Sequence, residues 1–174
     1  MIERSLRRAA LVGVAGLLLL GHSPYRQWYA YRAKHLVVVS AESRPGAAAL
    51  AEAVAAAIAA RLPDSKAVAA AVRSTSEVVD LLSSGQLQVG LLPSDDARHA
   101  LAGTGAFAEQ GPVPLRALAV IGDELLVVLE TYPRSKARDL ARAIGAHPGK
   151  WPELVPATFQ GDPPIPFHAG VTSR

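Results

Sequence analysis

His35-Leu36-Val37-Val38-Val39-Ser40 opens a stretch in which short apolar runs alternate with helix-patterned segments. Leu36 to Val39 is apolar and β-branched, the pattern of a strand buried on both faces. Pro45 suits the first turn of a helix, and Gly46 to Leu62 follows with Leu50, Val54 and Ile58 at four-residue steps. Pro63-Asp64-Ser65 ends that helix. Val68 to Val72 is the next strand. Ser74-Thr75-Ser76-Glu77 has the spacing of a capping box, with Val78, Val79, Leu81 and Leu82 as the apolar face and Gly85 as the left-handed stop. Val89-Gly90-Leu91-Leu92 is a third strand, and Pro93-Ser94-Asp95-Asp96 starts a short helix to Leu101. Strand, helix, strand, helix, strand, helix predicts an α/β fold, a parallel sheet with flanking helices and right-handed crossovers.

Further along, Gly103 to Phe107 reads as a loop, and Leu115–Ile121 and Glu124–Glu130 are apolar runs separated by Gly122-Asp123. Ser135 is placed to cap a helix over Lys136–Ile144. Six of the 13 prolines follow Gly145, so residues 146–174 are expected to be an extended or irregular tail that packs on the body or on a partner. The chain accordingly divides into 1–34, 35–145 and 146–174.

The 174 residues are half apolar, with 33 alanines and only 5% aromatics, so the core is built from Ala, Val and Leu. The charged fraction of 19% is too low for a disordered chain. Cysteine is absent, which removes disulfides, thiolate metal sites, Cys nucleophiles and a lipidated-Cys anchor. The net charge of +3 is uneven: residues 1–34 hold +5 and the remainder −2. A mildly acidic body lacks the clustered basic face expected of a nucleic-acid partner.

Basic residues instead flank the uncharged run Ala9–Gly21. Its length fits a cleaved signal peptide of about 7–15 apolar residues, although the small-x-small site is poor. Extended over residues 6–28, with Arg7, Arg8 and Arg26 snorkelling, it approaches the roughly 20 residues of a membrane span. Tyr25, Trp28, Tyr29 and Tyr31, four of the chain's nine aromatics, then form an interfacial belt. The expectation is one N-terminal transmembrane helix, a signal anchor in the inner (cytoplasmic) membrane, with the body in the periplasm. A cleaved peptide and a soluble N-terminal helix are the alternatives.

In parallel α/β sheets ligands sit at the carboxyl ends of the strands, against helix N-termini whose free N–H groups favour anions. Those places are Ser40–Gly46, Arg73–Ser76 and Pro93–Asp96. The candidate ligand-binding residues are therefore Ser40, Glu42, Ser43, Arg44, Ser74, Thr75, Ser76, Ser94 and Asp95. Ordinary helix capping accounts for Ser74, Thr75, Ser76, Ser94 and Asp95 equally well, and Glu42 with Arg44 also reads as a solvated loop pair. Asp95-Asp96 lacks a third ligand at metal spacing. The five histidines form no metal pattern or triad, and no Gly-rich phosphate loop occurs, so neither cofactor nor enzyme activity is expected.

The run from Arg73 to Ile121 resembles the TAXI-type solute receptors of TRAP transporters, which are periplasmic binding proteins. The resemblance is carried by Ser74-Thr75-Ser76-Glu77, Ser84-Gly85, Val89-Gly90-Leu91-Leu92, Ser94-Asp95, Gly103-Thr104-Gly105-Ala106-Phe107 and Leu115-Arg116-Ala117-Leu118, in order and spacing. Pro164-Ile165-Pro166-Phe167-His168-Ala169-Gly170 is similar to that family's C-terminal Pro-Leu-His-Pro-Gly segment. The first loop departs from the family, which is rich there in Gly and Tyr. A complete receptor has two lobes, and the resemblance, over residues 36–130 and 160–170, implies a single lobe.

Two functions are expected on these grounds. In one, a membrane-anchored lobe weakly binds a small organic anion, a dicarboxylate or acidic amino acid, for transport or sensing. In the other, a receptor lobe that no longer binds ligand is an accessory or scaffold subunit of an inner-membrane protein complex, with a transporter or other membrane protein as partner. The anchor expectation is checked by N-terminal sequencing of the mature protein. A start at Met1 or Ile2 is the expected result, and a start beyond the apolar run shows cleavage.

Overall fold

The computed structural model describes residues 31, 34–146, 154–155 and 164–172. The expected membrane segment, residues 6–28, lies outside the described residues, as do Trp151 and Phe159 of the tail. Among the described residues no helix is long and apolar enough to cross a membrane. The chain divides into two compact units, 1–34 and 35–174, and the second contains the sheet and the helices that flank it.

The strands of this second unit are β1 (Val37–Ala41), β2 (Val68–Val72), β3 (Val89–Pro93), β4 (Leu115–Ile121) and β5 (Glu124–Leu129), with a two-residue edge strand β6 (Leu154–Val155). The order is β2-β1-β3-β5-β4-β6. β1 pairs in parallel with β2 and β3, but β5 is antiparallel to both β3 and β4. The expected parallel sheet is thus a mixed one. The cause is local: Gly122-Asp123, with Gly122 at φ +58°, reverses the chain in a two-residue hairpin, and β5 enters beside β3.

Helices cover both faces. α1 (Ala47–Arg61) and α4 (Arg134–Gly145) lie on one, and α2 (Thr75–Ser83) and α3 (Ser94–Ala102) on the other. In α1 the expected stripe is seen, with Val54 and Ile58 fully buried and Leu50 half-buried. Pro45 precedes the helix rather than opening it, because Gly46 adopts φ +82° as the N-cap. Ser135 does not cap α4. Pro133 holds the N-cap position and Ser135 falls within the first turn, exposed.

The Gly103–Phe107 motif is structural. Gly103, at φ +65°, ends α3 so close to the next loop that a Cβ would lie 2.5 Å from the Pro112 nitrogen. The tight turn Gly105–Phe107 then drives Phe107 into the core on the α2/α3 face.

The described part of the tail, residues 154–155 and 164–172, is held by the sheet rather than irregular. In β4 the register shifts between Ala117 and Ala119, so Leu118 and Ala119 both face the α1/α4 core while Ala117 faces the other. At this bulge the C-terminal segment joins the sheet: Ala117 N–H donates to Pro166 O (3.0 Å) and His168 N–H to Ala117 O (2.9 Å). A short helix, α5 (Ala169–Thr172), comes next. His168 is buried edge-on to Tyr132. Its Nδ1 accepts from Gly170 N–H at 3.0 Å, which leaves Nε2 to donate to Glu130 O at 3.2 Å.

Gly170 is packed on the first turn of α4, where a Cβ would sit 2.3 Å from the Arg134 carbonyl oxygen. Gly170→Ala is therefore expected to destabilise the fold by overpacking, about 1–3 kcal/mol. An unchanged midpoint in urea denaturation would contradict the described seat of this segment.

Candidate functional site

The carboxyl ends of β2, β1 and β3 form a row, with the start of β5 beside them, since Pro93 pairs with Glu124. The candidate residues are spread along this row. Ser74 to Ser76 lie beyond β2, Glu42 to Arg44 beyond β1, and Ser94 and Asp95 beyond β3. An anion would need free N–H groups or an unengaged cation at one of these places.

Beyond β2 the helix start is satisfied by its own side chains. Ser74 Oγ accepts from Glu77 N–H at 3.3 Å. Glu77 Oε2 accepts from Arg73 N–H at 3.0 Å, one residue earlier than the capping box predicts. A carboxylate thus already occupies the positive end of α2. Thr75 and Ser76 are half-buried in the first turn, and Ser76 O accepts from Gln110 Nε2, which also donates to Asp80 Oδ1 at 2.6 Å.

Beyond β3, Ser94 N–H and Oγ–H both donate to Asp123 O, at 2.9 and 3.1 Å. The first turn of α3 carries Asp95 and Asp96, and Asp95 pairs with Arg98. Two carboxylates at a helix start favour the helix and repel an incoming anion.

Beyond β1 the outcome differs from the expected loop pair. Arg44 turns from Glu42 to Glu124, donating from Nε (3.1 Å) and Nη2 (3.0 Å) to Oε1. The Arg44 side chain is 41% exposed and that of Glu124 only 12%. Burial raises the Glu124 pKa above the ordinary carboxylate value; Arg44 opposes this, and Asp96 and Asp123 add to it. Glu124 Oε2 is buried without a hydrogen-bond partner. Glu42 and Ser43 are exposed, and Glu42 N–H extends the β1–β2 ladder by donating to Val72 O at 2.7 Å.

Ser40 does not reach the row. It is fully buried on the α1 side of β1, its Oγ has no partner, and it lines an open recess with Ala48, Glu52 and Ala69 to Ala71.

The structure thus brings Arg44 to Glu124 and Ser94 to Asp123, and leaves Ser40 and the Ser74 group apart from them. Glu124, Asp123 and Gln110 were not among the residues the sequence singled out. The Gly122-Asp123 link was the available signal, since a hairpin there returns Glu124 to the end of β3. Among the described residues no group of three His, Cys, Asp or Glu side chains is placed to hold a metal ion. Comparison with protein-family models finds no match to this chain. Comparison with curated proteins finds none either.

Because the folded chain holds a proton on Glu124 more readily than the unfolded chain does, the folded state binds more protons above the ordinary carboxylate pKa. Stability from this group is therefore expected to fall as pH rises through the raised value. Urea midpoints taken from acid to neutral pH check this. Glu124→Gln is expected to flatten the decline, and an unaltered slope would contradict the assignment.

Proposed function

We propose that the body of this chain is a non-catalytic interaction lobe, an accessory or scaffold subunit of a membrane-protein assembly, rather than a solute receptor. One observation carries the reading: the row at which an α/β lobe would take an anion is filled by the chain's own groups. Arg44 is engaged by Glu124, α2 is capped by Glu77, and α3 begins with Asp95 and Asp96.

The energetic comparison favours the same conclusion. A carboxylate ligand at Arg44 must displace Glu124 and leave that buried side chain without its cation. Because Arg44 is partly exposed, solvent screens the pair and its loss costs only about 0.2–1 kcal/mol. Binding at a millimolar Kd supplies about 4 kcal/mol. The displacement subtracts from that small total, and the open carboxyl edge offers few enclosing contacts to restore it.

The resemblance to one lobe of a TAXI-type receptor supports this reading as a re-use of that fold. Its shared motifs are held here by structural duties: Gly103 and Phe107 shape a turn, and His168 and Gly170 fasten the C-terminal segment. The N-terminal anchor and the periplasmic, inner-membrane location belong to the same proposal.

A second reading, a weak shelf for an organic anion, has one point in its favour. α1 has neither an acidic residue in its first turn nor a side-chain cap, so it alone among α1, α2 and α3 lacks both.

Two measurements separate the readings. The interaction lobe is expected to co-purify in mild detergent with a fixed set of membrane proteins, and recovery as a lone monomer would contradict it. The melting temperature of the soluble body is expected to be unmoved by millimolar dicarboxylates or acidic amino acids. A saturable rise would transfer the conclusion to the anion shelf.

A further inference from the structure

The two edges of the sheet are treated differently. Along β4, Leu154 and Val155 pair with Ile121 and Val120, and Phe167 bridges Ala117, so the chain covers this edge itself. β2, at the opposite edge, pairs only with β1 among the described residues. Val68 N–H donates to Leu36 O and Val72 O accepts from Glu42 N–H, so Val68, Ala70 and Val72 turn their peptide groups towards β1. By the alternation of a parallel ladder, Ala69 and Ala71 turn theirs outward. The strand is Val-Ala-Ala-Ala-Val, without proline, charge or bulge within it, so only the flanking Lys66 and Arg73 guard it against pairing.

Beside this edge lies the recess of about 80 Å³ lined by Ser40, Ala48, Glu52 and Ala69 to Ala71. Its alanine walls leave room for a side chain from a neighbouring strand. It contains one buried hydroxyl without a partner, Ser40 Oγ, and one carboxylate, Glu52, which makes no ion pair among the described residues.

We propose that the β2 edge receives an extended segment of a partner protein as an added strand, with one basic side chain of that segment seated in the recess against Glu52. The outward N–H and C=O groups of Ala69 and Ala71 supply the main-chain bonds, and the recess supplies the selectivity. The proposal rests on the interaction-lobe reading and names its surface. Lys66 and Arg73 bracket the strand, so a single central cation is preferred to a polybasic run. The same two residues disfavour a second copy of this chain. Two-fold antiparallel pairing would set Ala69 against Ala71, bring Lys66 and Arg73 of both copies together, and offer an alanine beside the recess.

The test uses the full chain in detergent and blocked seven-residue peptides of alternating valine and threonine with a central lysine, glutamate or norleucine. With the lysine peptide, amide hydrogen exchange at Ala69 and Ala71 is expected to slow at least about tenfold, the scale of one or two added hydrogen bonds. The glutamate peptide is expected to bind at least about tenfold more weakly, and Glu52→Gln to remove most of that difference. Ala71→Pro deletes an outward N–H and is expected to abolish binding. Should that variant fail to fold, a lysine peptide N-methylated at its pairing amides gives the same readout, loss of protection. Unchanged exchange at Ala69 and Ala71 with the lysine peptide, equal affinity for lysine and glutamate, or protection that tracks protein concentration without peptide would each overturn the proposal. Membrane partners that still co-purify with folded Ala71→Pro protein would overturn it while leaving the interaction-lobe reading in place.

Discussion

The contact between Arg44 and Glu124 joins the two halves of the sheet at the edge where function would be sought. Arg44 belongs to the loop after β1, in the parallel half, and Glu124 opens β5, in the antiparallel half. As an ion pair with a partly exposed guanidinium it adds little stability, about 0.2–1 kcal/mol by the behaviour of surface pairs. Its consequence lies in position. The cation best placed to meet an anion is already bound, and its partner is a desolvated carboxylate that no other cation neutralises among the described residues. The hairpin that puts β5 beside β3 therefore shapes both the sheet and the chemistry of its carboxyl edge.

The same economy recurs at the other helix starts. Glu77 closes the positive end of α2 on the Arg73 amide, and Ser94 fastens α3 to the Asp123 carbonyl. At the opposite side of β4, His168 and Gly170 secure the C-terminal segment against Glu130 and α4. These contacts make the same residues fastenings of the sheet and its helices. What they leave open among the described residues is the β2 edge with its recess.

Much of the architecture was legible in the sequence because each parallel strand is an apolar run and each crossover helix has its own stripe. Val37–Ala41, Val68–Val72 and Val89–Pro93 fall where Leu36–Val39, Val68–Val72 and Val89–Leu92 were expected. The antiparallel insertion of β5 was not read, because apolar runs do not state their direction; only the Gly122-Asp123 turn does. The bulge at Leu118 was hidden for a similar reason, since a buried strand with apolar residues on both faces conceals a change of parity. At the site, Ser74 could be read as a cap because its partner is three residues away. Arg44 was paired with its neighbour Glu42 because the true partner lies 80 positions along the chain. Ser40 was assigned to the edge from its place at the end of an apolar run, but strand parity turns it under α1.

The central claim, that the carboxyl edge is occupied from within, is tested most directly at Arg44 itself by nitrogen-detected NMR of its Nε–H. The account predicts a resonance that shifts in Glu124→Gln protein and stays in place when a dicarboxylate is added to millimolar concentration. A saturable movement of that resonance with the dicarboxylate, accompanied by release of the Glu124 carboxyl signal, would contradict it.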